Sequence, residues 1–245
     1  MDLKSAEPRA FLRARWLDLL MLNYVVDPAL LRPHVPLGTE LDLWRGDALV
    51  SLVGIRFVDT RMLGVAFPGH RDFDEVNLRF YVRREVDGDC RRAVVFLREV
   101  VPRRAIAWTA RALYNEPYVA RPMRHAIAEN GVERRLRYEW QERSTWVGLE
   151  ATTTGDPAPF VSGSQAEFIT EHFWGYTRQR DGGTIEYHVA HPSWRVWETT
   201  SARAIGPLTE TYGAGLAAIL EGTPRSSFVA EGSDVVVFRP SRVET

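Results

Sequence analysis

Residues 73–82 read FDEVNLRFYV, and their polar and apolar side chains alternate as they do along a β-strand. The apolar side chains on one face require a core to pack against. The opposite face points either to solvent, as in an ordinary antiparallel sheet, or into the cavity of a closed sheet. This second face carries Glu75, Asn77, Arg79 and Tyr81.

The segments on both sides of this stretch are also β-like. Glycine-containing turns predict one hairpin from residues 40–44 and 48–58, and another from residues 73–86 and 90–101. Residues 48–58 are apolar on both faces, which is typical of a strand covered on both sides. A closed or sandwiched sheet is therefore expected. Further strands are predicted at residues 11–26, 134–142, 145–153, 185–190, 194–204 and 235–238.

Helices are fewer. The patterns predict them at residues 104–113, 164–178 and 208–220, and Ser164 with Glu167 forms a capping box at the start of the second. Glu167, Glu171 and His172 are interpreted as a solvated face of that helix. No internal repeat or low-complexity linker interrupts the chain, so residues 1–245 are expected to form a single domain.

Composition excludes several classes of protein. The formal net charge is -1, whereas a nucleic-acid-binding domain is expected to be strongly basic. One cysteine, Cys90, excludes an internal disulfide. No signal-peptide pattern and no stretch of about 20 apolar residues is present, so a cytoplasmic protein without a membrane partner is expected.

A second informative segment, residues 111–118, reads RALYNEPY and places a proline where regular structure must pause. Together with residues 73–81 it resembles the acetoacetate-decarboxylase-like superfamily, and specifically its YqjF-like branch. The resemblance implies a β-rich α+β fold, namely a β-barrel with a cone-shaped internal cavity and a few peripheral helices. It extends over Trp16, residues 23–28, 37–53 and 73–81, the 111–118 loop, and residues 191–194.

The chain departs from the family at the lysine. In acetoacetate decarboxylases the corresponding proline is followed by the lysine that forms the Schiff base, whereas here Tyr118 follows Pro117. The only lysine is Lys4, near the terminus. A phenol cannot condense with a ketone to form an iminium ion. The resemblance therefore implies the pocket without the Schiff-base chemistry.

The resemblance also implies site residues. Glu75 and Arg111 match the family's cavity-lining acid and guanidinium, so Glu75 is expected to transfer a proton while Arg111 or Arg79 holds a carboxylate. Tyr118 and Tyr114 are expected to hydrogen-bond an enolate or carbonyl oxygen. The alternative is that these groups only join the loop to the barrel wall. The predicted catalytic residues are Glu75, Tyr118 and Arg111, and the predicted substrate-binding residues are Asn77, Arg79, Tyr81, Tyr114 and His191.

No cofactor or metal site is predicted. Residues 213–218 match a dinucleotide-binding glycine pattern, but they lie in a predicted helix that no convincing strand precedes. His188 and His191 are three apart in a strand, so they point to opposite faces.

We therefore expect a lysine-independent acid–base enzyme, similar to a lyase, isomerase or hydratase, acting on an oxo- or hydroxy-carboxylate or related carbonyl metabolite. The first alternative is a non-catalytic protein that binds a small molecule in the same cavity. The second is a β-rich scaffold with no ligand, which predicts no internal space. The expected partner is a small-molecule ligand, and assembly into a homo-oligomer is left open.

Overall fold

The computed structural model describes residues 9–244, apart from the side chains at positions 109, 110 and 112–114. This part of the chain is mostly β-sheet with few helices. Helices α1–α4 are Pro28–Leu31, Arg104–Tyr114, Gln165–Thr170 and Thr209–Leu220, with a 3₁₀ turn at Arg32–His34. Strands β1–β15 are Ala10–Val26, Glu40–Leu41, Ala48–Met62, Phe73–Val86, Asp89–Val101, Tyr118–Ala120, Met123–Asn130, Glu133–Glu142, Thr145–Thr154, Ala158–Pro159, Trp174–Arg178, Thr184–Ala190, Arg195–Ile205, Ser226–Phe238 and Ser241–Arg242.

Strand pairing follows a path that returns to its start. Seven strands lie side by side in the order β12, β11, β5, β4, β3, β1 and β14. The last strand, β14, also pairs with the first, β12, through Val189↔Val237 and Ala190↔Val236, which closes the path. The sheet also continues outward from β14 through β13, β9, β8 and β7. No helix within residues 9–244 has the length and apolar character needed to cross a membrane.

Two hydrophobic clusters cover opposite faces of the central strands. Leu78 and Phe80 of β4 pack in a cluster that includes Tyr138 and Trp140 of β8. The alternate residues of β3 and β4 belong to the second cluster, which includes Val53, Ile55, Phe57, Tyr81 and Phe168. Strand β3 is therefore covered on both faces, as its sequence predicts.

The predicted helix over residues 164–178 is wrong beyond Thr170. Ser164 caps the helix, since the backbone N–H of Glu167 donates to Ser164 Oγ at 3.2 Å, but the Glu167 carboxylate accepts from the Gly163 N–H rather than from Ser164, and α3 ends at Thr170. Residues Trp174–Arg178 form β11, which pairs with both β5 and β12. A Cβ atom at Gly175 would lie 2.2 Å from the Tyr187 ring, so any other residue there would displace that ring.

The first predicted hairpin is also wrong. Strand β2 pairs with β4, through Leu41↔Val82, and Trp44 and Asp47 form only an isolated bridge. The reason is that β1 and β4 already occupy both edges of β3, which leaves no edge for residues 40–44. The second predicted hairpin, β4 with β5, is confirmed.

A close approach between β1 and β14 leads to a stability prediction. Gly232 has φ +83°, and a Cβ there would lie 1.9 Å from the Trp16 carbonyl oxygen. Gly232→Ala is therefore expected to lower the free energy of unfolding by at least about 2 kcal/mol, measured by urea denaturation. Gly215→Ala is the control, because no atom lies within 4 Å of its Cβ position in α4. Equal losses in the two variants would contradict the close approach.

Candidate active site

A pocket of about 480 Å³ lies among the strands of the closed pairing path. Each of these seven strands contributes at least one lining residue. Most of the wall is apolar, and its aromatic part comprises Phe11, Trp16, Phe57, Phe67, Phe73, Phe96, Trp174, Trp194 and Phe238. A pocket of this size is in the range of ligand-binding sites, and it contradicts the interpretation as a scaffold without internal space.

The polar face of β4 lies on the pocket side. Glu75, Asn77 and Arg79 all line the pocket. Tyr81, the fourth residue of this face, is buried beyond them and is not part of the pocket wall. Its hydroxyl lies 2.6 Å from Ser51 Oγ, and its ring packs against His172 with centroids 4.7 Å apart. The structure therefore brings three of these four predicted residues together.

Glu75 is buried and is held by two hydrogen bonds. Asn77 Nδ2 donates to one carboxyl oxygen at 3.0 Å, and the Tyr118 hydroxyl donates to the other at 3.1 Å. Burial raises the pKa of Glu75 to about 7, although both hydrogen bonds and the charge of Arg79 oppose that rise. Glu75 is thus balanced between its acid and base forms near neutral pH.

Glu99 is a second buried carboxyl in the pocket wall, and the sequence analysis missed it. Simple alternation from Val94 and Phe96 would place Arg98 inward instead. The register between β4 and β5 shifts at this point, because Leu78 pairs with Arg98 and Arg79 pairs with Phe96. This β-bulge turns Glu99 toward the pocket, opposite Asn77.

Glu116 is a third carboxyl in the wall. It lies in the 111–118 loop but is not among the predicted site residues. Asn115 ends α2 with a left-handed φ of 56°, which turns the chain toward β6. Glu116 then accepts hydrogen bonds from Thr177 Oγ1 and, at 3.3 Å, from the Tyr187 hydroxyl. Burial raises the pKa of Glu116 to about 7.

These groups form a proton-sharing chain. Glu99 is hydrogen-bonded to Glu116, and such a contact between two carboxyl groups requires one of them to carry a proton. Burial and the neighbouring charge of Glu116 raise the pKa of Glu99 well above its usual range, so Glu99 donates. The Tyr118 hydroxyl lies between Glu75 and Glu99, and it donates its single proton to Glu75 at 3.1 Å. The parallel register Glu99↔Tyr118 produces this contact.

Arg79 supplies a positive charge to the pocket. One of its Nη atoms donates to the Ile169 carbonyl oxygen at 3.3 Å, while its buried Nε has no hydrogen-bond partner among the described residues. Its guanidinium forms no ion pair within 4.0 Å with a carboxylate of residues 9–244. A guanidinium without a counter-ion favours an anionic ligand, and a carboxylate matches its geometry.

His172 also lines the pocket, so its interpretation as part of a solvated helix face is wrong. Helix α3 ends two residues earlier, and the His172 side chain is 1% exposed. Burial lowers its pKa to about 4, so the ring is neutral. Its Nε2 lies 3.1 Å from the Asp42 carboxylate, which Arg92 also contacts at 2.8 Å. Since Asp42 accepts the Nε2 proton, the unpartnered Nδ1 is an acceptor.

The remaining predicted residues have different locations. Arg111 is exposed on α2 and does not line the pocket. His191 lines the pocket with its ring stacked on Trp194 at 4.0 Å between centroids. The Tyr114 side chain and Lys4 lie outside the described part. Within residues 9–244, no three His, Cys, Asp or Glu side chains are arranged to bind a metal ion.

Comparison with known families identifies the group to which the chain belongs. The model of the DUF2071 family, described as an uncharacterized conserved protein, matches residues 13–234. The chain belongs to the DUF2071 family. This DUF2071 protein is also 24% identical to the uncharacterized protein YqjF of Bacillus subtilis (strain 168) over 208 residues, which cover 84% of this chain and 83% of YqjF. The resemblance to the YqjF-like branch is confirmed.

Solved structures agree on the fold of this DUF2071 protein. Acetoacetate decarboxylase from Legionella pneumophila superposes with a TM-score of 0.65 and 15% identity, covering 99% of this chain and 93% of that one. The enduracididine biosynthesis enzyme MppR complexed with pyruvate has a TM-score of 0.66 and 13% identity, with coverage of 98% and 93%. An acetoacetate decarboxylase-like enzyme from Sphingomonas wittichii RW1 has a TM-score of 0.62 and 12% identity, with coverage of 97% and 94%. The chain therefore has the acetoacetate-decarboxylase-like fold.

Proposed function

We propose that this DUF2071 protein is a lysine-independent acid–base enzyme, of lyase, isomerase or hydratase type, acting on an oxo- or hydroxy-carboxylate or a related carbonyl compound. We also propose that residues 1–245 form one domain whose closed strand path is a β-barrel around a cone-shaped cavity. The observation that carries the function is the buried chain of Glu75, Tyr118, Glu99 and Glu116 in a mostly apolar pocket. Similar sites in enzymes hold carboxyl groups whose pKa lies near the working pH.

The proposed first step is proton transfer beside a carbonyl group. Arg79 binds the substrate carboxylate, and Glu75 in its ionised form takes a proton from the carbon next to the carbonyl. The electrons of the broken C–H bond move onto the carbonyl oxygen. Once Glu75 is protonated it no longer needs the hydrogen bond from Tyr118, so the Tyr118 hydroxyl turns and donates to that oxygen instead. Glu75 then returns the proton to a carbon of the substrate, which restores the carboxylate. Arg111 has no role in this proposal because it lies outside the pocket.

Deuterium exchange tests this step. The protein is incubated in D₂O with a panel of 2-oxo and 3-oxo acids, and NMR follows the hydrogen signal beside each carbonyl. At least one acid is expected to exchange faster than it does in buffer. If an acid binds but no acid exchanges or reacts, the catalytic proposal is overturned in favour of a non-catalytic binding protein. The largely apolar wall supports that second candidate.

Borohydride trapping tests the absence of Schiff-base chemistry. MppR has been solved with bound pyruvate, and pyruvate and acetoacetate are therefore suitable probes. Because Tyr118 stands in the lysine position, reduction in the presence of either acid is expected to add no mass to peptides spanning residues 9–244. Mass spectrometry of the digested protein makes the measurement. A stable adduct in that range would contradict the lysine-independent mechanism.

A further inference from the structure

We infer that the acid bound by this pocket carries a flat aromatic ring next to its reacting carbon, so that the ligand is an aryl-substituted oxo acid. This inference rests on the proposed function and names its substrate class. Two independent features support it: the volume of the pocket and the positions of the aromatic side chains relative to Glu75.

The pocket is too large for a three-carbon acid. Such an acid fills roughly the space of three or four water molecules, about 100 Å³ at about 30 Å³ for each water. The pocket offers about 480 Å³. Most of its volume would then remain beside an apolar wall, where water finds few hydrogen-bond partners. A ligand with an apolar extension fills this space and releases that water.

Strand β4 arranges polar and aromatic side chains in sequence. Arg79, Asn77, Glu75 and Phe73 all line the pocket from alternate positions of one strand. Each step along this face is about 6.6 Å, since a strand rises about 3.3 Å per residue. A carboxylate at Arg79 and a reacting carbon near Glu75 therefore direct the remainder of the ligand toward Phe73.

The wall near Phe73 contains four aromatic rings in contact with one another. Phe73 stacks on Phe57 with centroids 4.7 Å apart and an interplanar angle of 12°. The ring centroids of Phe57 and Trp16 are 5.6 Å apart, and those of Trp16 and Trp194 are 6.4 Å apart. These four rings form a continuous surface within the pocket. Flat rings pack against such a surface in stacked and edge-to-face arrangements that a saturated chain does not match.

Binding measurements with the full chain test the inference. Isothermal titration compares pyruvate, 2-oxohexanoate and phenylpyruvate. Phenylpyruvate is expected to bind at least tenfold more tightly than pyruvate and more tightly than 2-oxohexanoate. Equal affinities for the three acids would overturn the inference and leave the proposed acid–base function intact. Tight binding of phenylpyruvate without proton exchange on any acid would support the inference and overturn the catalytic proposal.

Variants of Trp16 locate the aromatic subsite. Trp16→Leu is expected to weaken phenylpyruvate binding at least fivefold with little effect on pyruvate, while Trp16→Phe retains most of the affinity because it keeps a ring. The matched control is Trp108→Leu, since Trp108 is 72% exposed on α2 and does not line the pocket. The inference fails if Trp16→Leu binds phenylpyruvate as tightly as Trp108→Leu does. Thermal unfolding of each variant verifies that it is folded.

Discussion

Glu75→Gln is expected to slow deuterium exchange into an oxo acid substrate by about 100-fold or more, because a positioned general base contributes about 10²–10⁴-fold. The amide has nearly the same shape as the carboxylate and can still accept from Tyr118, but it cannot take a proton. The rate is measured by NMR at saturating substrate. Glu198→Gln is a matched control, since Glu198 is exposed on β13 and outside the pocket.

The pH profile provides a second readout of the same group. Since the pKa of Glu75 is about 7, the base form accumulates as the pH rises through 7, and the exchange rate of the wild-type protein is expected to rise and then level off. In Glu75→Gln this rise is expected to disappear. A variant that keeps both the wild-type rate and its pH profile would show that Glu75 is not the base.

The second large effect concerns stability. Relative to the wild type, Glu116→Gln is expected to become more stable as the pH rises from 5 to 8, by up to about 3 kcal/mol. A pKa moved from 4.5 to about 7 corresponds in full to about 3.5 kcal/mol, at about 1.4 kcal/mol per pKa unit, and a part of this is already lost at pH 5. Below pH 4.5 the folded and unfolded states both keep the Glu116 proton. As the pH rises, the unfolded state loses its proton first, so this group lowers the free energy of unfolding up to about pH 7.

Comparison with the variant is necessary because several histidines act in the opposite sense. Burial lowers the pKa values of His34, His172, His188 and His191, so protonation favours the unfolded state as the pH falls below 6.5. Urea denaturation of both proteins at pH 5, 6, 7 and 8 isolates the carboxyl contribution, and Glu198→Gln should parallel the wild type. A constant difference between wild type and Glu116→Gln across this range would show that Glu116 ionises normally.

Local patterns predicted much of this arrangement. Alternation along residues 73–82 placed Glu75, Asn77 and Arg79 on one face, and the structure has all three in the pocket wall. That prediction succeeded because β4 keeps a regular pleat over these positions. The 111–118 loop also contributes to the pocket wall, through Glu116 and Tyr118 rather than Arg111.

The rest depended on contacts distant in sequence. Glu99 faces inward because of a bulge in β5, and nothing in the local pattern marks that register shift. His172 is buried because β11 follows α3 and pairs with β5 and β12, a pairing set by residues far along the chain. The helix propensity of residues 164–178 is therefore overridden beyond Thr170 by strand pairing with distant parts of the chain.

The alternation in β3 and β4 also has an evolutionary consequence. Side chains such as Leu78 and Phe80 pack against β8, while their neighbours Asn77 and Arg79 line the pocket. Selection on ligand preference and selection on folding thus act on different positions, one residue apart. A duplicated gene could diversify the inward set and acquire a new substrate while its outward set keeps the protein folded.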